Sequence, residues 1–219
     1  MTRPVVGFDM DGVLSNFIGP YQIIGSMLQD AGIERVRDLS DEVGDGILRA
    51  ALNPTLAATL RDPTDYYGGL PAEAFDKAFG FIERYAMAFW SHLPSFVSDD
   101  DRLNMVGLNA YYDIHYITSR RGNRALVQEA TGQWLQRNNF PCTGLDRIHV
   151  VGAKGPTAYA LGMSAFIDDD PGKCASMRMA HVPDVFMQAR AYNEGINVEG
   201  VRRASLTAYL AFLEDTLEE

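Results

Sequence analysis

Apolar positions open the chain in a short run, Pro4-Val5-Val6-Gly7-Phe8, that stops at Asp9-Met10-Asp11-Gly12. A run of that length bounded by carboxylates and a glycine predicts a buried strand with a sharp turn behind it. From residue 17 to about 97 the strand signature disappears. Tyr21, Ile24, Met27 and Leu28 recur at helical spacing, with Pro20 at a first helical position and Gly32 as a stop. Ser40 reads as the cap of a second short helix. Between Asn53 and Pro71 the pattern dissolves into Asn-Pro, Asp-Pro and Gly-Gly breaks that carry Tyr66 and Tyr67. Phe75, Phe79, Ile82, Tyr85 and Phe89 then recur at intervals of three and four and predict one further helix, with Phe75, Phe79 and Phe89 as core packing.

From residue 98 onward strands and helices alternate, the pattern of a parallel sheet covered by helices. Ser98 caps a helix whose first turn holds Asp99, Asp100 and Asp101, favoured there by the helix dipole. Strands are predicted at 113–118, 147–151, 165–168 and 182–188, and helices at 124–137, 156–161, 173–180 and about 204–217, before the acidic tail Glu218-Glu219. The fold class expected is α/β, a doubly wound, Rossmann-like, mostly parallel sheet with an inserted helical cap. Residues 1–16 and 98–219 form the core in this reading, and 17–97 the cap.

Composition narrows the functions this fold carries. With 47% hydrophobic and 22% charged residues over 219, the chain has ordinary globular composition. Met1-Thr2-Arg3-Pro4 leads into the first strand without the longer apolar core of a signal peptide, and no window approaches a membrane-spanning length, which predicts a cytoplasmic protein. Cys142 and Cys174 lie far apart, outside any metal-ligand spacing, as suits packed thiols in a reducing compartment. A net charge of −10 argues against nucleic-acid and anionic-membrane partners, which require a basic surface. A small anionic substrate would need local positive charge from a metal ion or from placed lysines and arginines.

Four places in the chain offer such chemistry, each at or just after the carboxyl end of a predicted strand, where open α/β sheets build their sites. Asp9 and Asp11 sit two apart, so in an extended segment both side chains point the same way. The strand 113–117 ends in Thr118-Ser119-Arg120-Arg121, hydroxyl and backbone donors beside two cations, a grip for a phosphate. Lys154 follows the strand 148–151 through a Gly-Ala turn. The strand 165–167 runs into Asp168-Asp169-Asp170-Pro171, a cluster that would repel itself without a divalent cation, or that serves in part as a helix cap. His92, His115, His149 and His181 fall in no triad or ligand spacing and read as structural.

These segments, in this order, resemble the four motifs of the haloacid dehalogenase superfamily of phosphohydrolases. Asp9 and Asp11 match its D-x-D, Thr118 its strand-closing Thr or Ser, Lys154 its lysine, and Asp168 and Asp169 its acidic pair, with Asp170 outside the pattern. The resemblance implies that Asp9 is the nucleophile and forms an aspartyl-phosphate, and that Asp11 protonates the leaving oxygen and then activates water. It implies Mg²⁺ held by Asp9, the backbone carbonyl of Asp11 and the pair Asp168 and Asp169, one directly and the other through water. It further implies that Lys154 and Thr118 stabilise charge on the transferring phosphoryl group.

Asp9-Met10-Asp11-Gly12-Val13-Leu14-Ser15-Asn16-Phe17 is most similar to the 5′(3′)-deoxyribonucleotidase group of that superfamily, and Phe89-Trp90-Ser91-His92-Leu93-Pro94 and Tyr192-Asn193 are shorter echoes of it. The resemblance implies a nucleoside monophosphate substrate with Phe17 lining the base pocket, while Ser119 and Arg120 are candidate phosphate contacts from their place at the strand exit. A sugar phosphate or other small phosphorylated metabolite is the alternative substrate. A catalytically silent phosphate-binding protein on this fold is the non-enzyme alternative. A phosphoacceptor receiver domain is disfavoured by motif order, because its lysine comes last whereas Lys154 precedes the final acidic cluster.

Overall fold

The computed structural model describes residues 3–58, 71–142 and 144–217. Tyr66 and Tyr67, within the stretch 59–70, and the tail Glu218-Glu219 lie outside the described residues.

Six strands form one sheet: β1 (Val5–Phe8), β2 (Asp113–Thr118), β3 (Ile148–Val150), β4 (Met163–Asp168), β5 (Asp184–Gln188) and β6 (Val201–Ala204). They lie in the order β3-β2-β1-β4-β5-β6, every pair parallel. The chain therefore winds outward from β1 to one side, then crosses back and winds outward from β4 to the other. The crevice between the carboxyl ends of β1 and β4 is the switch point at which such sheets bind ligands. Val6, Phe8, Ile114, Tyr116, Ala165 and Ile167 are buried in the larger core, whereas Ile117, Met163, Phe166 and Val185 belong to a second buried cluster. That division follows from alternation of side chains across the sheet.

The chemistry-bearing strands lie within a few residues of where the apolar runs place them. β6 escapes the sequence pattern because Val201-Arg202-Arg203-Ala204 has no apolar run to give. It pairs only with β5, and charged residues are what an edge strand carries to discourage further pairing.

Between β1 and β2 the chain builds α1 (Ile18–Asp30), α2 (Asp41–Ala51), α3 (Pro54–Ala58), α4 (Ala72–Arg84) and α5 (Ala86–His92). Ser40 caps α2 by accepting from the Val43 N–H, and α1 ends before Gly32, whose φ of +62° is open to glycine. The aromatic stripe from Phe75 to Phe89 lies on two helices, not on the single one its spacing predicts. The break falls at Tyr85 (φ −107°, ψ 25°), whose ring seats against Gly44 of α2. Arg84 next to it binds the carbonyls of Val36 and Leu39 at 2.7 and 3.1 Å and anchors the end of α4. α5 then turns to pack on α7 (Arg124–Arg137), while α4 stays against α1.

The remaining helices are α6 (Asp99–Leu108), α8 (Lys154–Ala160), α9 (Pro171–Met179) and α10 (Leu206–Asp215). Ser98 caps α6 through the Asp101 N–H, and Ser205 caps α10 through the Ala208 N–H. Among the described residues no helix is long and apolar enough to cross a membrane.

Phe8 is fully buried at the centre of the sheet, with its ring edge-on to Tyr209 at 5.3 Å. Phe8→Ala is expected to cost about 3–5 kcal/mol of unfolding free energy, read from the midpoint of a urea titration. A loss under about 1 kcal/mol would mean that β1 is not the centre of the core.

Candidate active site

Beyond β1 the chain makes a tight turn in which the N–H groups of Leu14 and Ser15 both donate to the Met10 carbonyl, at 2.9 and 2.8 Å. Gly12 sits in that turn at φ +86°, and a Cβ there would lie 2.1 Å from Oδ2 of Asp169. Only glycine allows both the left-handed backbone and the close approach of that carboxylate. The Asp9 N–H continues the sheet by donating to the Ile167 carbonyl at 2.9 Å, which sets Asp9 beside the end of β4.

Asp9, Asp168 and Asp169 are all buried and each turns a carboxylate oxygen into one cluster, the oxygens within 4.8 Å of one another. Lys154, at the start of α8 and buried with them, places Nζ 2.5 Å from Asp9 Oδ1 and 2.7 Å from Asp168 Oδ2. Tyr192 donates its hydroxyl to Asp169 Oδ2, and Asn193 donates to the Asp169 carbonyl at 2.8 Å. The third aspartate of the run lines the same cavity but is not one of the cluster acids. Asp170 accepts from the N–H groups of Gly172 and Lys173 at 2.7 and 3.0 Å and caps α9, with Pro171 at its first position. The four-residue run is thus two cluster acids followed by a helix cap.

Three carboxylates against one ammonium leave an excess of buried negative charge. Burial, then repulsion from Asp168, pushes the Asp9 carboxyl well above the ordinary carboxylate range. The same two causes push Asp169 up to about 7. Burial also raises Asp168, although Lys154 opposes it. For Lys154 burial acts to lower its pKa, but Asp168 and Asp9 outweigh it and hold the ammonium charged. An all-oxygen donor set with unbalanced charge is what a hard divalent cation of the Mg²⁺ type requires, and the residues present fit one.

Asp11 stands apart from the cluster, in the same cavity. Arg120 holds it with two parallel hydrogen bonds, Nε to Oδ2 at 2.9 Å and Nη2 to Oδ1 at 2.8 Å, and Ser15 Oγ donates to Oδ1 at 2.7 Å. Arg120 was expected as a substrate contact at a solvated strand exit. Its guanidinium is instead buried against the Trp90 ring at 4.8 Å, bound to Asp11 and to Thr131 Oγ1, because a planar fork beside a carboxylate and an indole face is better satisfied there than in water. Thr118 is buried at the end of β2, and its Oγ1 accepts from the Arg120 N–H at 3.3 Å.

All nine residues singled out from the sequence, Asp9, Asp11, Phe17, Thr118, Ser119, Arg120, Lys154, Asp168 and Asp169, line this one cavity. Phe79, Trp90, Asp170 and Lys173 line it too, as does Arg121, the second cation of the strand exit after β2. Phe17 is sandwiched between Tyr21 and Trp90, with centroids 5.3 and 5.6 Å away and near-parallel planes. Phe79, read from its spacing as core, packs on Tyr21 and also faces the cavity, with the Arg121 guanidinium 4.2 Å above its ring. Helical periodicity identifies the buried stripe but does not separate its core side from a rim that borders a cleft. None of the histidines lines the cavity. His115 and His149 pair with each other at 2.8 Å across β2 and β3.

A six-stranded parallel sheet with a buried acidic crevice at its switch point defines a class of α/β proteins, and comparison with solved structures specifies it. A haloacid dehalogenase-like family hydrolase from Xanthomonas campestris is similar over 98% of this chain and 96% of its own, with a TM-score of 0.54 at 15% identity. A predicted phosphoglycolate phosphatase from Haemophilus somnus is similar over 97% and 99%, with a TM-score of 0.53 at 15% identity. A magnesium-bound HAD-hydrolase structure from Bacillus subtilis is similar over 98% and 100%, with a TM-score of 0.50 at 13% identity. The chain has the fold of the haloacid dehalogenase-like hydrolases. No protein-family model matches its sequence, and no curated protein does.

The raised carboxyls give the metal-free protein a definite pH dependence. A carboxyl whose folded pKa lies above its unfolded value of about 3.9 stabilises the fold fully below that value and loses the contribution as pH rises through the folded pKa, about 7 for Asp169. In EDTA the melting temperature is therefore expected to fall between pH 5.5 and 8, and Mg²⁺ is expected to raise it more at pH 8. Asp169→Asn should raise the pH 8 melting temperature in EDTA and remove much of the Mg²⁺ response. Equal Mg²⁺ responses at both pH values, or none, would rule out a cation at this cluster.

Proposed function

We propose that the protein is a Mg²⁺-dependent phosphomonoesterase that works through an aspartyl-phosphate on Asp9. The observation that carries this reading is the pairing of two carboxylate sets in one cavity, Asp9 with Asp168, Asp169 and Lys154 on one side and Asp11 with Arg120 on the other. One set suits a cation and a nucleophile, and the other suits proton transfer.

Asp9 Oδ attacks phosphorus in line, the bond to the leaving oxygen breaks, and Asp11 delivers a proton to that oxygen. Asp11 then takes a proton from water, which attacks the aspartyl-phosphate, releases phosphate and regenerates Asp9. Arg120 holds Asp11 as a carboxylate in the resting site with both oxygens engaged, so Asp11 must release at least one of these hydrogen bonds to carry the proton in each transfer. Lys154, held charged, compensates Asp9 and the phosphoryl group, and Thr118 and Ser119 supply donors to phosphate oxygens. Asp9, Asp168, Asp169 and the Asp11 carbonyl would hold Mg²⁺, which when bound supplies charge neutralisation at the phosphoryl oxygens. Residues 1–16 and 98–219 act as the core in this proposal and 17–97 as a cap that brings Phe17, Phe79 and Trp90 over the cleft.

That aromatic wall favours a flat leaving group, so we infer a nucleoside monophosphate as substrate, with the base at the edges that Phe17 and Phe79 turn to the cavity, since Tyr21 and Trp90 cover the faces of Phe17 and Arg121 lies over Phe79. A second reading, a small metabolite phosphate with another anionic group, is favoured by Arg121 and Lys173 at the same cavity.

The test is phosphate release from deoxy- and ribonucleoside monophosphates and from sugar and carboxylate-bearing phosphates, with Mg²⁺ or EDTA. Nucleotide-concentrated, Mg²⁺-dependent turnover is expected, lost by at least about 10³-fold in Asp9→Asn. Turnover confined to anionic metabolites would shift the substrate to the second reading, and full activity in Asp9→Asn would remove the mechanism. Thr118→Val is expected to lower kcat by about 10²-fold with a smaller change in KM, the pattern of a contact made in the transition state.

A further inference from the structure

α6 is apolar on two sides. Met105 and Leu108 point inward with Tyr112 just beyond the helix, whose hydroxyl donates to the Leu213 carbonyl of α10 at 2.8 Å. On the outer side Leu103, Val106 and Gly107 follow the i, i+3, i+4 spacing of a second buried stripe, with Ala110 and Tyr111 in the turn just beyond the helix, yet all five are exposed. Leu103 is 70% exposed, Val106 50% and Tyr111 58%. Leu145 borders the same groove as Val106, and Leu217 the same groove as Leu103 and Tyr111. Five of the ten large apolar side chains exposed among the described residues therefore gather on this one face. Scattered exposed leucines need no explanation, whereas a contiguous patch marks a contact surface.

Two further features point to what covers it. Gly107 is the penultimate residue of the helix, where glycine weakens the helix relative to alanine, and among the described residues nothing outside the helix's own backbone lies within 4 Å of where its Cβ would be. No neighbour within the chain calls for a glycine there, while a second helix crossing at that point would exploit the close approach. The ends of the face also carry opposite charge. Of the three acids in the first turn, Asp99 is paired with Arg102 at 3.1 Å and Asp101 accepts from Ser98 and Thr207, which leaves Asp100 as the exposed acid at this end, and Arg3 sits at the other end, donating to the Asn109 carbonyl at 2.6 Å. A surface with an apolar middle and ends of opposite sign is complementary to itself under a two-fold rotation.

We propose that α6 is the interface of a two-fold symmetric homodimer, in which two copies of the helix cross antiparallel at Gly107. Leu103 packs against the partner's Tyr111, and Asp100 comes opposite the partner's Arg3. The catalytic cavity, at the carboxyl ends of the strands, is not part of this face: none of the five stripe residues lines it. Both sites of the dimer stay open.

Sedimentation and light scattering of the full chain are expected to give twice 24.2 kDa at concentrations up to about 100 µM. Val106→Asp is expected to return the mass to 24.2 kDa with kcat unchanged. Arg3→Glu and Asp100→Arg should each weaken the dimer, and the double reversal should restore it. Gly107→Cys should form an intermolecular disulfide under mild oxidant, and Ser26→Cys, exposed on α1, should not. A monomer across that range, a dimer that survives both Val106→Asp and the single charge reversals, or growth beyond two copies would overturn the proposal.

Discussion

Burying three carboxylates around one ammonium is the constraint on which the rest of this structure depends. Ions cost several kcal/mol each to desolvate, of order that expected for any buried charge, and Lys154 compensates only part of the excess. The surrounding fold meets the remainder by exact placement. Gly12 removes the side chain that would collide with Asp169, Tyr192 and Asn193 tie that residue to the turn after β5, and Asp170 leaves the cluster to cap α9. None of these contributes much apolar burial, and all of them hold a like-charged group in place against its neighbours. The site stores repulsion that an added cation relieves.

The second unit, Arg120 with Asp11, obeys the opposite logic. Its charges are matched one to one, joined by two hydrogen bonds, and shielded by Trp90. A balanced pair beside an unbalanced cluster separates two kinds of work within one cavity, since the first keeps its geometry whether or not a cation is present. Trp90 ties this pair to the inserted helices, because its indole N–H donates to the Arg121 carbonyl at 3.2 Å. The strand exit that carries Arg120 and Arg121 is thereby clasped by α5, so the insertion is continuous with the machinery beneath it.

Much of this was legible in the residues. Strands β2 and β4 announce themselves as apolar runs ending in Thr118 and Asp168, and caps at Ser40 and Ser98 mark helix starts by local hydrogen bonding alone. β6 was silent because an edge strand with two arginines carries no burial signal. The break at Tyr85 was silent because it depends on Gly44, which the chain brings from 41 residues earlier. Asp9, Lys154 and Asp168 could be named from their positions after strands, yet the partner of Asp11 could not. An arginine after a strand looks the same in sequence whether it meets water or a buried acid, and only the packing of α5 on α7 decides it.

The contact between Lys154 and Asp9 spans 145 residues. Strand β1 leaves the ribosome well before its neighbour β4 and the lysine that neutralises Asp9, which are made only after the helices α1 to α5 and two further strands. Loop closure on that scale is slow, and it falls late in synthesis. Until β2 is made the nascent chain carries a hydrophobic strand with no neighbour to pair it, and until β4 and Lys154 follow it has one open edge and an unpartnered acid. Its yield in a cell is thus tied to how well β1 is sheltered until its neighbours appear, a demand on chaperones that the finished fold no longer shows.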